Sequence, residues 1–477
     1  MAGSSKPQRV RDPVHNLIEF DGTDQFEQVM WRVIQTGPFQ RLRRIKQLGF
    51  SELVYPGATH TRFAHCIGVF HTARQLMKII ERDIRSTEGS LFQDNQARVA
   101  VAAALVHDLG HGMFSHAFED VGKRSGLAMA RHEDVSGQLI CEGEVSDVLT
   151  KEMGSGFAND VADVIKSEEP KSLYNAVVSS QFDADRLDYM RRDRLLTGVQ
   201  NSGIDFTWLI HNLEVGAVNA GVDDAARAEV PTFVIGPKAI SAAETYVLSL
   251  FQLYPTVYFH KATRSAEKMF SALMSRVIEL VRVDLIAKTG LSMEHQLVKF
   301  IRDPKCLDNV LALDDTVFWS SLPLMSEADD PLIEEFSARL WKRDLRKCVD
   351  VRERLLAANE EQPPDEGVKR LKRLSDDVAD EVQSWSDANS QHVPRVLIDR
   401  TERKPYKRFE GSKGPLNQIL VRTTSGGVRD LAEFSTTVAG IEKFQLFRVY
   451  VDRDDHEAKS VIDASIDNAL RRNVDVE

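Results

Sequence analysis

The chain has 477 residues, 61 basic and 72 acidic, for a formal net charge of −11. A single core stops growing near ~250–300 residues, so more than one compact body is expected, and the acidic excess argues against a surface coated for non-specific nucleic-acid binding. Cys66, Cys141, Cys306 and Cys348 stand singly with no CxxC, and no apolar run approaches the ~18 residues of a membrane span, so reduced thiols and a cytoplasmic location are expected.

Residues 1–8 carry no apolar pattern and are expected to be disordered, and Arg9 to Phe20 reads as an extended arm or short hairpin. Phe26, Val29, Met30, Val33 and Ile34 recur at helical spacing, which predicts a helix over Gln25–Gln35 stopped by Gly37-Pro38. Phe39, Leu42, Ile45 and Leu48 predict a further helix ended by Gly49. Its other face, Gln40, Arg41, Arg43, Arg44 and Lys46, is either a solvated stripe or a grip on a polyanion. A long helix is expected from Thr61 to Arg82, then a polar link from Ser86 to Asn95. The small apolar run Asn95–Val106 reads as a buried helix with His107 and Asp108 near its C-terminal end.

Residues 117–180 read as short helices, Val230–Gly236 as a strand, and Ala239–Leu253 and Thr256–Leu285 as helices split by Pro255. The pattern stays helical from Ser292 to about Gln391, with Trp319, Leu322, Trp341 and Leu355 as core and an exposed loop at Asn359–Gly367. Arg395–Asp399, Gln418–Arg422 and Phe444–Asp452 then read as strands, with helices at Val428–Ile441 and His456–Arg472. The expected fold is mainly α: a helical body over residues 9–290, a helical extension over 291–392 and a small α+β lobe over 393–477.

The densest chemistry lies in Leu105-Val-His-Asp-Leu-Gly-His-Gly-Met-Phe-Ser-His116, which gathers three histidines and an aspartate in twelve residues. Neighbours on a helix point about 100° apart, so His107 and Asp108 share a cation only if other segments supply the remaining ligands. Two segments offer them: Gly57-Ala-Thr-His-Thr-Arg-Phe-Ala-His-Cys-Ile-Gly68, and Gln181-Phe-Asp-Ala-Asp-Arg-Leu-Asp-Tyr-Met-Arg-Arg-Asp193. In the second, Asp185, Tyr189 and Asp193 follow one another at helical turns.

Taken in order, these pieces resemble the H…HD…D pattern of the HD-domain phosphohydrolases. The likeness extends through Arg11-Asp-Pro-Val-His15, Phe39-Gln-Arg-Leu-Arg-Arg-Ile-Lys-Gln-Leu-Gly49, Tyr55-Pro-Gly-Ala-Thr-His-Thr-Arg-Phe63 and Val257-Tyr-Phe-His-Lys261 to the deoxynucleoside-triphosphate (dNTP) triphosphohydrolases of that superfamily. It is similar in particular to the SAM-and-HD-domain branch found in mammals and to bacterial dGTPase-like relatives. The likeness begins near Arg9, so no SAM domain is expected in front, and it is strong to about residue 270.

That resemblance implies a divalent metal held by His65, His107, Asp108 and Asp185. The imidazole and carboxylate set suits Fe, Mn, Zn, Co or Ni, with Mg carried by the substrate triphosphate. It implies proton transfer and phosphate stabilisation by His111, His116 and His132, helped by Glu119 where the mammalian branch has an aspartate. Arg62 and Arg186 would grip the triphosphate, Arg186 replacing a lysine with a two-pronged donor. Gln47, Leu48, Tyr189 and Asp193 would hold the sugar and exclude a 2′-hydroxyl, and His260 and Lys261 would lie nearby. Thr256 stands where an arginine is expected four residues before that histidine.

An activating nucleotide is implied between subunits of a homo-oligomer, a dimer or a tetramer built from dimers, at Arg11, Gln35, Gln40 and Arg43. Gln35 replaces the aspartate that reads guanine, so dependence on GTP should relax. The implied reaction releases deoxynucleoside and inorganic triphosphate. Two alternatives stand beside it: an HD hydrolase acting on another nucleotide, and a nucleotide-sensing or nucleic-acid-binding protein with a residual site that uses the basic run Arg400–Arg408.

Overall fold

The structure is a computed structural model that describes residues 6–129, 131–167, 169–201, 203–220, 228–358, 364–407 and 414–472. The chain is mainly helical with a few small sheets, as expected. The described strands are β1 (Gln8–Asp12), β2 (Asn16–Phe20), β3 (Leu213–Ala220), β4 (Ala228–Ile235), β5 (Lys347–Asp350), β6 (Val396–Arg403), β7 (Leu420–Arg422), β8 (Val428–Asp430) and β9 (Phe444–Val451).

Two compact units are each built from three pieces of chain: Met1–Val257, Pro304–Asp315 and Pro405–Glu442 form the first, and Tyr258–Asp303, Thr316–Lys404 and Lys443–Glu477 the second. Divisions at 290 and 392 are therefore not where the contacts separate. The expected lobe over 393–477 is split between the units because its strands find different partners. β7 and β8 extend the β3–β4 hairpin into a four-stranded sheet, while β9 lies between β5 and β6 in a three-stranded one. Strands β3 and β5 had no sequence expectation.

In the first unit, β1 and β2 form the expected antiparallel hairpin, with Arg11 opposite Leu17. The Gln25–Gln35 helix has the expected bounds: Asp24 caps it by accepting from the Glu27 N–H, and Phe26, Val29, Met30, Val33 and Ile34 make its buried face. The helix expected next is only Gly37–Arg41, begun by Pro38 in its first turn, followed by a single tight turn at Leu42–Arg44. Of the basic face, Arg43 and Arg44 are exposed but Arg41 is not. Arg41 is 2 % exposed, and its Nε donates to the Leu313 carbonyl at 2.9 Å. Beyond that turn the backbone pairs with the residues before the next helix: Gln47 N–H donates to His60 O, and Arg62 N–H to Ile45 O.

The Arg62–Ser86 helix packs on the Asp94–Val106 helix and on the Ala184–Thr197 helix. Ala100, Ala102, Ala103 and Ala104 keep the second of these thin enough for its Val99–Val106 stretch to sit fully buried. Asp183 caps the third through the Arg186 N–H. In the second unit, Val351, Leu355, Leu374, Val378, Val382, Val449, Val451, Ile462 and Ile466 form one core between strands and helices. Leu322 and Leu355 are buried as expected, whereas Trp341 is 56 % exposed and is not core. Among the described residues no helix is long and apolar enough to cross a membrane. The expectations for residues 1–5 and for 359–363 of the Asn359–Gly367 loop lie outside the described residues.

Candidate active site

Three helices bring the expected ligand residues together. His65 comes from the first turn of Arg62–Ser86, His107 and Asp108 from the end of Asp94–Val106, and Asp185 from the first turn of Ala184–Thr197. His65 Nε2 lies 2.9 Å from Asp185 Oδ1 and 3.8 Å from Asp108 Oδ2. His107 Nε2 lies 3.4 Å from Asp108 Oδ1 and 3.6 Å from Asp185 Oδ1.

The donor set fits a cation. His107 Nδ1 is committed to the Ala104 carbonyl at 3.0 Å, and its buried Nε2 has no hydrogen-bond partner among the described residues. A buried polar atom without a partner costs stability of the order of 1–3 kcal/mol, so a ligand for it is the physical expectation. The local charges point the same way. Burial opposes protonation of His65, but the Asp185 and Asp188 carboxylates bonded to it push its pKa up to about 10. Against burial, Asp108 and Asp185 likewise raise that of His107. Both carboxylates stay ionised below their usual range despite burial: Arg62 leads for Asp108, and the two histidines for Asp185. The pocket therefore draws positive charge. Cys66 is buried beside it but belongs to no group of converging ligand atoms.

A second cluster shares Asp108. His111 Nε2 lies 3.2 Å from Asp108 Oδ1. The His111 ring stacks on His132 with centroids 3.8 Å apart, and His116 stands edge-on to both. Glu119 Oε2 is 3.0 Å from His132 Nδ1 and 3.3 Å from His116 Nδ1, while Lys123 Nζ holds its other oxygen at 2.6 Å. The longer glutamate arm thus reaches both imidazoles. Burial raises the Glu119 pKa, but its bonds to His116, His132 and Lys123 hold it well below the usual range. His111 is kept neutral by burial, with Arg62 and His132 adding to the effect. His116 is the outermost, with 75 % of its side chain exposed.

The remaining expected residues fall into three places. Arg62 is turned inward, ion-paired to Asp108 and donating from Nε to Ser115 Oγ at 2.8 Å. Arg186 is one-third exposed and held by Ser180 O and Asp183 Oδ2. Gln47 and Leu48 are half-buried beside His60, whose Nε2 is 2.8 Å from Asp193 Oδ1; Gln47 Oε1 is buried without a hydrogen-bond partner among the described residues. Tyr189 is half-buried, and burial pushes its phenol well above its ordinary pKa. Arg11 and Gln35 are exposed, with Arg11 bonded to Asn16. Gln40 bridges Ile34 O and Arg43, whose guanidinium lies 3.5 Å from the Phe63 ring centroid. His260 and Lys261 belong to the second unit, where His260 caps the Lys261–Arg282 helix.

Four participants escaped sequence reasoning. Asp188, His15, His60 and Asp183 contact the site residues without being candidate ligands. The one available signal was spacing, since Asp188 lies three residues after Asp185 and shares its helix face.

The chain matches the HD domain model over residues 62–190 and the HD associated region model over 224–304. It belongs to the HD-domain phosphohydrolase family, and a divalent metal is part of what that domain implies. It is 31 % identical over 436 residues to the uncharacterized protein YwfO of Bacillus subtilis, covering 90 % of this chain and 88 % of that one. It is 26 % identical to the deoxynucleoside triphosphate triphosphohydrolase SAMHD1 of Mus musculus, covering 93 % of this chain and 68 % of that one. A solved phosphohydrolase from Bacteroides thetaiotaomicron superposes with a TM-score of 0.67 at 27 % identity, covering 94 % of this chain and all of that one.

Proposed function

We propose that the chain hydrolyses dNTPs to deoxynucleoside and inorganic triphosphate, with His65, His107, Asp108 and Asp185 holding the metal. The observation that carries this reading is the adjacency of two groups. In one, His65, His107 and Asp185 converge, with a His107 Nε2 that has no hydrogen-bond partner among the described residues; in the other, Asp108, 3.4 Å from that Nε2, joins His111 and His132, whose stacked rings are backed by Glu119. A divalent cation held by His65, His107 and Asp185, with Asp108 beside them, would supply Lewis-acid chemistry: it would withdraw charge from a phosphate oxygen and lower the pKa of a water.

The residues around it do the rest. Glu119 accepts the Nδ1–H of His132, which sets its tautomer and holds the ring in place. His132 then gives a proton to the 5′-oxygen as its bond to the α-phosphorus breaks. Neutral His111 stacks on that ring without competing for the proton. Arg62 and Arg186 bind triphosphate oxygens, with Mg on the triphosphate. Gln47 Oε1 accepts the 3′-hydroxyl, and Leu48 and Tyr189 fill the space a 2′-hydroxyl would need. SAMHD1 relatives, named as dNTP triphosphohydrolases, support the substrate class.

The test is incubation with each dNTP and with Mn, Fe, Co, Ni or Zn in the presence of Mg, followed by product separation. Deoxynucleoside with tripolyphosphate is the expected pair. Release of dNMP with pyrophosphate, or dNDP with orthophosphate, would show the pocket to be misread. We further infer a dimer-based homo-oligomer stimulated by a nucleotide gripped near Arg11, Gln40 and Arg43. With Gln35 in place of a carboxylate, that nucleotide need not be GTP.

A further inference from the structure

We propose that Asp188 is a positioning residue for the metal centre, and that the N-terminal hairpin is part of that centre through His15 and Arg192. The inference rests on the reading of His65 as a metal ligand. Asp188 is fully buried, and its Oδ2 lies 2.8 Å from His65 Nδ1, the nitrogen facing away from Asp185. An imidazole whose Nδ1–H is given to a carboxylate keeps its Nε2 lone pair for a cation and cannot turn in its socket.

The carboxylate is fixed from three further directions. His15 Nε2 lies 2.7 Å from Asp188 Oδ1, and Arg192 donates to both oxygens, from Nε at 2.8 Å and Nη2 at 2.9 Å. The third guanidinium nitrogen of Arg192 lies 2.7 Å from Asp12 Oδ2. Asp12 Oδ1 in turn accepts the N–H groups of Val14 and His15 at 2.9 and 3.0 Å, which shapes the turn between β1 and β2. Gly68 leaves the room: a Cβ there would fall 2.0 Å from Asp188 Oδ1 and 2.4 Å from Arg192 Nη2. A purely structural ion pair would not need contact with the non-ligand nitrogen of His65. The buried chain Asp12–Arg192–Asp188–His65 therefore ties the hairpin bearing Arg11 to the ligand set.

The experiment measures Co2+ affinity of the full-length protein by chelator competition, with the visible Co2+ spectrum as a record of coordination. Asp188→Asn and His15→Ala should each weaken Co2+ binding, on the order of 10–100-fold for the first and less for the second, with helical content retained. His15→Gln, whose amide still donates to Asp188, should recover most of the loss. Should Asp188→Asn fail to fold, the His15 pair decides alone. Co2+ affinities within about twofold of wild type in the folded variants would overturn the proposal, as would a wild-type protein that takes up no divalent metal. A wild-type protein that binds Co2+ but leaves dNTPs intact would refute the substrate reading and leave this inference standing.

Discussion

A buried imidazole has two nitrogens to satisfy, and the partner of one decides what the other can do. Ala104 occupies His107 Nδ1 and Asp188 occupies His65 Nδ1, which leaves both Nε2 atoms near Asp185. His107→Ala or Asp185→Ala should therefore abolish metal uptake and turnover while leaving the helical circular dichroism largely unchanged. Full metal occupancy in either variant would contradict the assignment. His71 behaves differently. Burial, with His15 and Arg74 adding repulsion, brings its pKa down from 6.5 to about 4. The folded value lies below the unfolded one, so its contribution to stability is present above pH 6.5 and is lost as pH falls towards 4. Discounted for partial exposure, the loss should be about 1–2 kcal/mol. Urea midpoints at neutral and acid pH should differ less in His71→Gln than in wild type. At this scale the candidate ligands were legible because they are rare residue types in ordered motifs. Asp188 and His15 were not, since an aspartate or a lone histidine in a polar helix or turn looks like surface until its partners converge.

Among the elements, the Arg62–Ser86 helix carries the sharpest constraint at Gly68. Exchange of glycine for alanine inside a helix ordinarily gains about 0.5–1 kcal/mol. Here the added carbon would meet the Asp188–Arg192 pair, so Gly68→Ala should instead destabilise by about 1–3 kcal/mol and weaken metal binding along with it. A stabilised variant with unchanged metal affinity would show that the pair has room to shift. Helices with a clean apolar period were readable, Gln25–Gln35 to the residue. The segment after it misled because its period came from residues buried in a turn and a backbone pairing, and because Arg41 is buried where a basic residue reads as solvated. Trp341 erred in the opposite direction, an aromatic left on the surface.

At the scale of the whole molecule, local pattern stops being informative. Residues 396–451 contain strands that look alike in sequence, yet β7 pairs in parallel with β4, while β6 pairs with β9. Hydrophobic alternation says that a strand exists and not which distant strand it joins. The hairpin that feeds Arg192 also bears Arg11, so assembly and nucleotide dependence belong to this scale. Rates for each dNTP alone and in pairs, with and without GTP, should be read beside the mass in solution. Stimulation by a nucleotide other than GTP, in an even-numbered oligomer, is the expected result; an absolute GTP requirement or a fully active monomer indifferent to nucleotides would contradict it.

Synthesis on the ribosome runs in one direction, and the Gln181 side chain has to wait for it. Its amide nitrogen donates to the Lys407 and Asn417 carbonyls, and its oxygen accepts the Lys407 N–H, across 226 residues of intervening chain in the case of Lys407. At about 5–20 residues per second, that gap corresponds to roughly 10–45 s of translation. All four candidate ligands are already made by then, on three helices that precede Lys407 in the chain. A nascent chain in that window holds a complete donor set on an unfinished body, so premature termination before Asn417 should yield a protein that captures metal yet is cut by proteases near Gln181.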